Sequence, residues 1–170
     1  MSKKVSFGHV TPWWPEDFKT LDYEYYPLKN SPEDIQRWKN QGYDKINING
    51  GLYNMSKPMP DYADGFFNLF PLKNVGIGFY CMKTCDFLPV HRDHYITYRD
   101  KFEIIDPADI WRAVVFLEDW KSGHYFEIGD RPIVNWKAGN WVLWNYDIPH
   151  SAGNFGIENR YTVQITGCTI

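Results

Sequence analysis

The sequence predicts a mainly β domain, a double-sheet jelly roll with an N-terminal helical flank, and three observations carry that expectation. From Val75 onward, short runs rich in β-branched and aromatic residues recur between Gly, Pro, Asp or Asn, at 75–82, 111–118, 124–128, 131–136, 140–146 and 160–167. Many short strands at such spacing read as a sandwich or barrel. Aromatic residues make up 18% of the chain against only 4 Met, which favours broad rigid walls over a bundle of long helices. After residue 75 no long helix can be placed.

The elements follow in order. Ser31-Pro32-Glu33-Asp34 has a Ser cap, Pro in the first turn and acids near the positive end of the dipole. It predicts a helix of about three turns ending at Gly42. Tyr53 through Pro71 holds three of the eleven prolines, with Asn, Asp and Gly, and reads as irregular loop with aromatic anchors. A chain of 170 residues fits a single core. We expect one domain, 1–170, with residues 1–75 as flank and 76–167 as the jelly-roll core.

Composition excludes some partners. The net charge is −3, and Lys and Arg are scattered without a basic block, so nucleic acid is not expected. No stretch approaches the roughly 18 apolar residues of a spanning helix, and no apolar run follows the first residues, so a cytoplasmic protein without a membrane partner is expected. Cys81, Cys85 and Cys168 are too few for a disulfide framework. Zinc at Cys81 and Cys85 would need two more soft ligands nearby, so buried or half-buried free thiols are expected.

Chemistry concentrates in two segments. In Leu88-Pro89-Val90-His91-Arg92-Asp93-His94, an extended backbone points His91 and Asp93 to one face, where an imidazole nitrogen and a carboxylate oxygen can converge on one ion. In Gly139 through Asn154, a strand ends in a turn and presents His150 at the start of the next element. Ten positions later Arg160 opens an apolar run with Thr162 on the same strand face. A buried arginine is costly unless an anion meets it. Two imidazoles and one carboxylate on one face of iron(II) leave positions open for oxygen chemistry. A dicarboxylate cosubstrate chelating such an ion would need a fork of donors at its far end, which arginine supplies.

The order H-x-D, distal His, then Arg ten residues on resembles the 2-oxoglutarate-dependent oxygenases of double-stranded β-helix (cupin-like) fold. More finely it resembles the aspartyl/asparaginyl β-hydroxylase-like group and its relatives that hydroxylate proline. The blocks that carry this are Leu88-Pro89-Val90-His91-Arg92-Asp93, Ala138-Gly139-Asn140-Trp141, Pro149-His150-Ser151-Ala152-Gly153-Asn154 and Arg160-Tyr161-Thr162-Val163, within residues 76–167. The resemblance implies Fe(II) on His91, Asp93 and His150, 2-oxoglutarate on Arg160, and O2 as co-reactant. Arg112 resembles an earlier family arginine near the cosubstrate or substrate carboxylate, although Val114 stands where the family often has His. Residues 1–75 match nothing in that pattern.

The implied activity is hydroxylation of an unactivated C–H bond, on a peptide or small-molecule substrate, with release of succinate and CO2. An amino-acid side chain, peptidyl or free, is the substrate class by analogy. The alternative is a cupin-like module that binds a metal or small ligand without turnover. Tyr80, Trp144 and Tyr146 are expected as cavity walls, with Tyr80 and Thr162 also placed near the cosubstrate. Asp86 is a rival carboxylate to Asp93, five residues before His91 across Pro89. His94 is expected to face away from the ligand side, and His124, after Ser122-Gly123, to sit in a turn at the surface or mouth. Neither substrate identity nor oligomeric state is written in the sequence.

Overall fold

A computed structural model describes residues 4–26, 31–43 and 50–169. Among the described residues there are ten strands: β1 Val5–His9, β2 Gly51–Asn54, β3 Leu72–Met82, β4 Phe87–His91, β5 Ile110–Phe116, β6 His124–Ile128, β7 Arg131–Ile133, β8 Asn140–Asn145, β9 His150–Asn154 and β10 Arg160–Thr169. They form a six-stranded sheet in the order β1-β8-β5-β10-β3-β2 and a four-stranded sheet in the order β4-β9-β6-β7, with antiparallel pairing throughout. This is the double-stranded β-helix that the strand runs predict. Among the described residues no helix is long and apolar enough to cross a membrane.

The central strands of the large sheet are buried on both faces, and the period of two assigns each face its residues. Ile77, Phe79, Ala113, Val115, Val163 and Ile165 pack outward beneath Trp14, Phe18, Phe66 and Phe70 of the N-terminal part. Described residues of the N-terminal part therefore complete the core: Phe66 and Phe79 are fully buried with ring centroids 5.8 Å apart. Truncating Phe66 to Ala would cost about 3–5 kcal/mol. Toward the small sheet, Val114, Phe116, Val142 and Trp144 meet Phe126 and Ile128. Further along that inner face the row turns polar, and a cavity remains between the sheets.

The predicted helix is α1, Pro32–Asn40. Ser31 Oγ accepts from Asp34 N at 3.1 Å, and Gly42, at φ 87°, follows the C-cap Gln41. Its buried Trp38 packs edge-on to His91, 6.0 Å between centroids. The expected loop from Tyr53 to Pro71 starts inside β2 and includes the short α2, Asp64–Phe67; Phe66 and Phe70 are its buried anchors. A further short helix, α3, spans Ile96–Phe102. Cys81 and Cys168 are buried free thiols, whereas Cys85 is exposed, against expectation, because it occupies a tight turn at φ 71°.

Candidate metal centre and its cavity

His91 and His150 are cross-strand partners at the end of the β4–β9 ladder. Pro89 cannot donate to a ladder and is tolerated because β4 is an edge strand. The register shifts between Leu88 and His91, and past that irregularity the two histidines stand opposite each other, ring centroids 4.3 Å apart. Asp93 follows two residues beyond β4. One ligand atom from each of His91, Asp93 and His150 lies within 4.8 Å of the others.

The hydrogen bonds set which atoms face inward. His91 Nδ1 donates to the Pro89 carbonyl at 2.8 Å, and His150 Nδ1 to the Ile148 carbonyl at 3.0 Å. A carbonyl only accepts, so each Nδ1 carries the proton, and in the neutral ring Nε2 is a bare lone pair. Burial pushes the His150 pKa down to about 4, against the pull of Asp93. Burial pushes Asp93 up, but the Arg112 guanidinium leads the opposing influences, and with help from Tyr95 the carboxyl is held below its usual value.

Asp93 Oδ2 is therefore an ionised oxygen, buried, with no hydrogen bond of ordinary geometry, 3.4 Å from the His150 Nε2 lone pair. His91 Nε2 lies 3.9 Å from Asp93 Oδ1. Electron-rich atoms converging without protons between them repel, and a cation removes that cost. The donor set fits a divalent transition metal: two imidazoles and one carboxylate.

The triad opens on a cavity of about 440 Å³ between the sheets, lined also by Arg112, Arg160, Thr162, Tyr80 and Trp144. Every residue singled out as a site residue thus borders one space. Arg160, at the start of β10 opposite Met82, is 3% exposed. Its Nη1 reaches Met82 Sδ at 3.4 Å, its Nε has no partner, and no acid pairs with it among the described residues. The guanidinium lies 5.5 to 5.9 Å from the ring centroids of Phe116, Phe126 and Trp136. Burial alone lowers its pKa to about 9. Arg112 is half-buried and paired, Nη1 to Asp93 Oδ1 at 2.8 Å. Burial lowers its pKa, but Asp93, Tyr95 and Tyr80 more than offset this, and the net shift is upward.

Several expectations need correction. Tyr146 does not line the cavity: β8 ends at Asn145, and Tyr146 packs instead near Ile110, Tyr95 and Cys168. His124 is not a surface turn residue. Gly123, at φ 89°, makes the turn, so His124 begins β6, 3% exposed, with Nε2 3.0 Å from the Glu158 carbonyl oxygen. The rival Asp86 is no part of the His91, Asp93 and His150 group, in keeping with the preference for Asp93; it is fully buried, with Oδ2 accepting from the Tyr25 hydroxyl and from Lys83 N. His94 borders the cavity, its Nε2 3.7 Å from Asp34 of α1. Sequence reasoning missed Gln164, which continues the Arg160 and Thr162 row at period two and could have been read from it. It also missed Tyr95 and the aromatic box around Arg160, which no spacing announces.

No family model and no curated protein matches the sequence. Among solved structures, a prolyl-4-hydroxylase from Pseudomonas putida aligns over 99% of this chain and 94% of its own, with TM-score 0.58 and 13% identity. A 2OG-Fe(II) oxygenase from Burkholderia pseudomallei aligns over 62% and 48%, with TM-score 0.41 and 16% identity. A cupin protein from Bacteroides fragilis aligns over 86% and 85%, with TM-score 0.42 and 9% identity. At such identities the first of these likenesses is one of fold, and it agrees with the strand order: the chain is a double-stranded β-helix protein with a His-Asp-His group able to hold a metal ion.

Proposed function

We propose that this chain is an iron(II)- and 2-oxoglutarate-dependent oxygenase that converts a C–H bond of its substrate to C–OH. In the overall reaction, 2-oxoglutarate, O2 and R–H give succinate, CO2 and R–OH. One observation carries the reading: Arg160 is a buried guanidinium with no acidic partner among the described residues, opening on the same cavity as the triad. A fold does not keep such a charge for stability, since an unpaired buried ion costs several kcal/mol, roughly, even after relaxation. A carboxylate brought by a cosubstrate would pair with it.

Iron(II) held by His91, Asp93 and His150 would supply open coordination positions for the oxo acid and oxygen. The residues of this chain do the rest. Nδ1 hydrogen bonds fix both imidazole rings with Nε2 inward. Arg160 takes the far carboxylate of 2-oxoglutarate through its fork, and the Thr162 hydroxyl, on the same strand face, is a second donor. Burial keeps the Tyr80 phenol protonated, so it too can donate into the cavity. Trp144, Phe126 and Val114 exclude water from the space beside the triad. The substrate, an amino-acid side chain of a peptide or a small molecule, shares this cavity, which Tyr98 and Ile96 of α3 also line.

Anaerobic addition of 2-oxoglutarate to the chain loaded with iron(II) tests this. The expected result is a weak visible charge-transfer band, followed by succinate once oxygen is admitted. No band and no succinate would refute the proposal.

A further inference from the structure

Arg112 is held on three sides. Its Nη1 donates to Asp93 Oδ1 at 2.8 Å and its Nε to Thr166 Oγ1 at 3.2 Å. Its guanidinium lies 4.7 Å from the centre of the Tyr95 ring. The Thr166 contact is set by register, because Thr166 stands opposite Arg112 in the β5–β10 ladder. The Tyr95 contact depends on an unusual backbone: Tyr95 has φ 53° and ψ 28°, a left-handed conformation. For a bulky residue that state costs about 1–3 kcal/mol and persists only where the surroundings enforce it. Here the chain turns back two residues after Asp93, and the ring lies over the guanidinium that Asp93 binds.

We propose that Arg112 is the positioning residue for Asp93: clamped by Thr166 and Tyr95, it occupies Oδ1 and so presents Oδ2 to the metal. A carboxylate free to turn could chelate an ion with both oxygens and fill a position that the cosubstrate needs. With Oδ1 committed, Asp93 binds through one oxygen and the neighbouring positions stay open. The inference rests on the metal part of the proposed function. It differs from what the family resemblance implies, a place for this arginine beside the cosubstrate or substrate carboxylate.

Arg112→Lys tests it, because it keeps the charge and loses the fork that reaches Asp93 and Thr166 together. Thr166→Val is the second variant: it leaves both charges and removes only the Nε anchor, so it covers a failure of Arg112→Lys to fold. The readout is Mn(II) affinity without turnover, from the paramagnetic resonance of free Mn(II), alongside the melting temperature of each metal-free variant. Losing such a partner of a metal ligand costs about 10–100-fold in affinity. We expect about tenfold or more for Arg112→Lys and a smaller loss in the same direction for Thr166→Val. Normal Mn(II) binding by both Arg112→Lys and Thr166→Val overturns the inference, and a fall in 2-oxoglutarate affinity alone would then return Arg112 to carboxylate recognition. An unaltered chain that takes up no Mn(II) overturns the metal reading and this inference with it.

Discussion

Arg112 and Arg160 reach one cavity from neighbouring strands, and their electrostatic states are opposite. Arg112 meets Asp93 at 2.8 Å, so its desolvation is offset within the protein and its pKa rises above the usual value. Arg160 meets a thioether and three aromatic rings, and its pKa falls to about 9. Aromatic faces attract a cation by about 0.5–2 kcal/mol each, but they carry no countercharge and accept no bidentate pair of hydrogen bonds from the guanidinium fork. One arginine is satisfied within the fold; the other has no acidic partner among the described residues, and the proposed function places a ligand's charge there. In a buried site, the absence of a partner is more informative about ligands than its presence.

The largest expected effect comes from breaking the satisfied pair. Asp93→Ala removes a metal ligand and also strands Arg112, so metal binding should vanish and the metal-free chain should lose about 3–5 kcal/mol of stability. Urea unfolding of the purified variant checks this; a variant as stable as its parent would mean that Arg112 is not paired in solution. The equivalent change on the other arginine should have the opposite sign. Arg160→Met replaces an unpaired buried charge with an apolar side chain of similar length, so the ligand-free chain should gain about 1–4 kcal/mol, while binding of 2-oxoglutarate fails. Loss of stability in Arg160→Met would show that Arg160 already has an anionic partner.

A smaller effect should follow from pH. His150, at about 4, and His124, lowered first by burial, bind protons less readily folded than unfolded. Between the unfolded value of 6.5 and the folded value near 4, the unfolded chain takes up protons that the folded chain refuses. Stability of the metal-free protein should therefore be full above 6.5 and fall as pH drops toward 4, by up to about 1.4 kcal/mol per pH unit from His150. Melts at stepped pH measure the slope, and a flat curve down to pH about 4.5 would contradict neutral buried histidines. The smallest effect is expected from Thr162→Val, which removes one neutral donor and should weaken 2-oxoglutarate binding by about 1 kcal/mol, read by calorimetry.

What the sequence disclosed about these regions follows from where the physical signal is local. Strands β5, β6, β8 and β10 carry dense β-branched and aromatic runs, and their positions could be read directly. The segments Val5–His9, Gly51–Asn54, Phe87–His91 and His150–Asn154 hold Gly, Pro, Ser and His, and become strands only through pairing with distant partners. The H-x-D spacing and the Arg160 row were legible because two-residue periodicity brings such residues to one face. The partnership of Asp93 with Arg112 was not, since it depends on a β-ladder register and on left-handed backbone at Tyr95. Tyr146 and His124 were misplaced for a related reason: turns at Asp147 and Gly123, with φ 69° and 89°, fixed where their strands stop and start.

On the proposed function Arg160 awaits a cosubstrate carboxylate, and calorimetric titration of the metal-loaded chain measures whether it does. Two ligands are compared on the unaltered chain and on Arg160→Ala: 2-oxoglutarate, and a short 2-oxo acid lacking the distal carboxylate. Truncating one partner of a buried charge pair costs about 2–5 kcal/mol, so Arg160→Ala should bind 2-oxoglutarate roughly thirty-fold or more weakly. The short acid should bind both proteins alike, at the weaker level. If Arg160→Ala binds 2-oxoglutarate as tightly as the unaltered chain, or if the short acid loses as much as 2-oxoglutarate does, the account is contradicted.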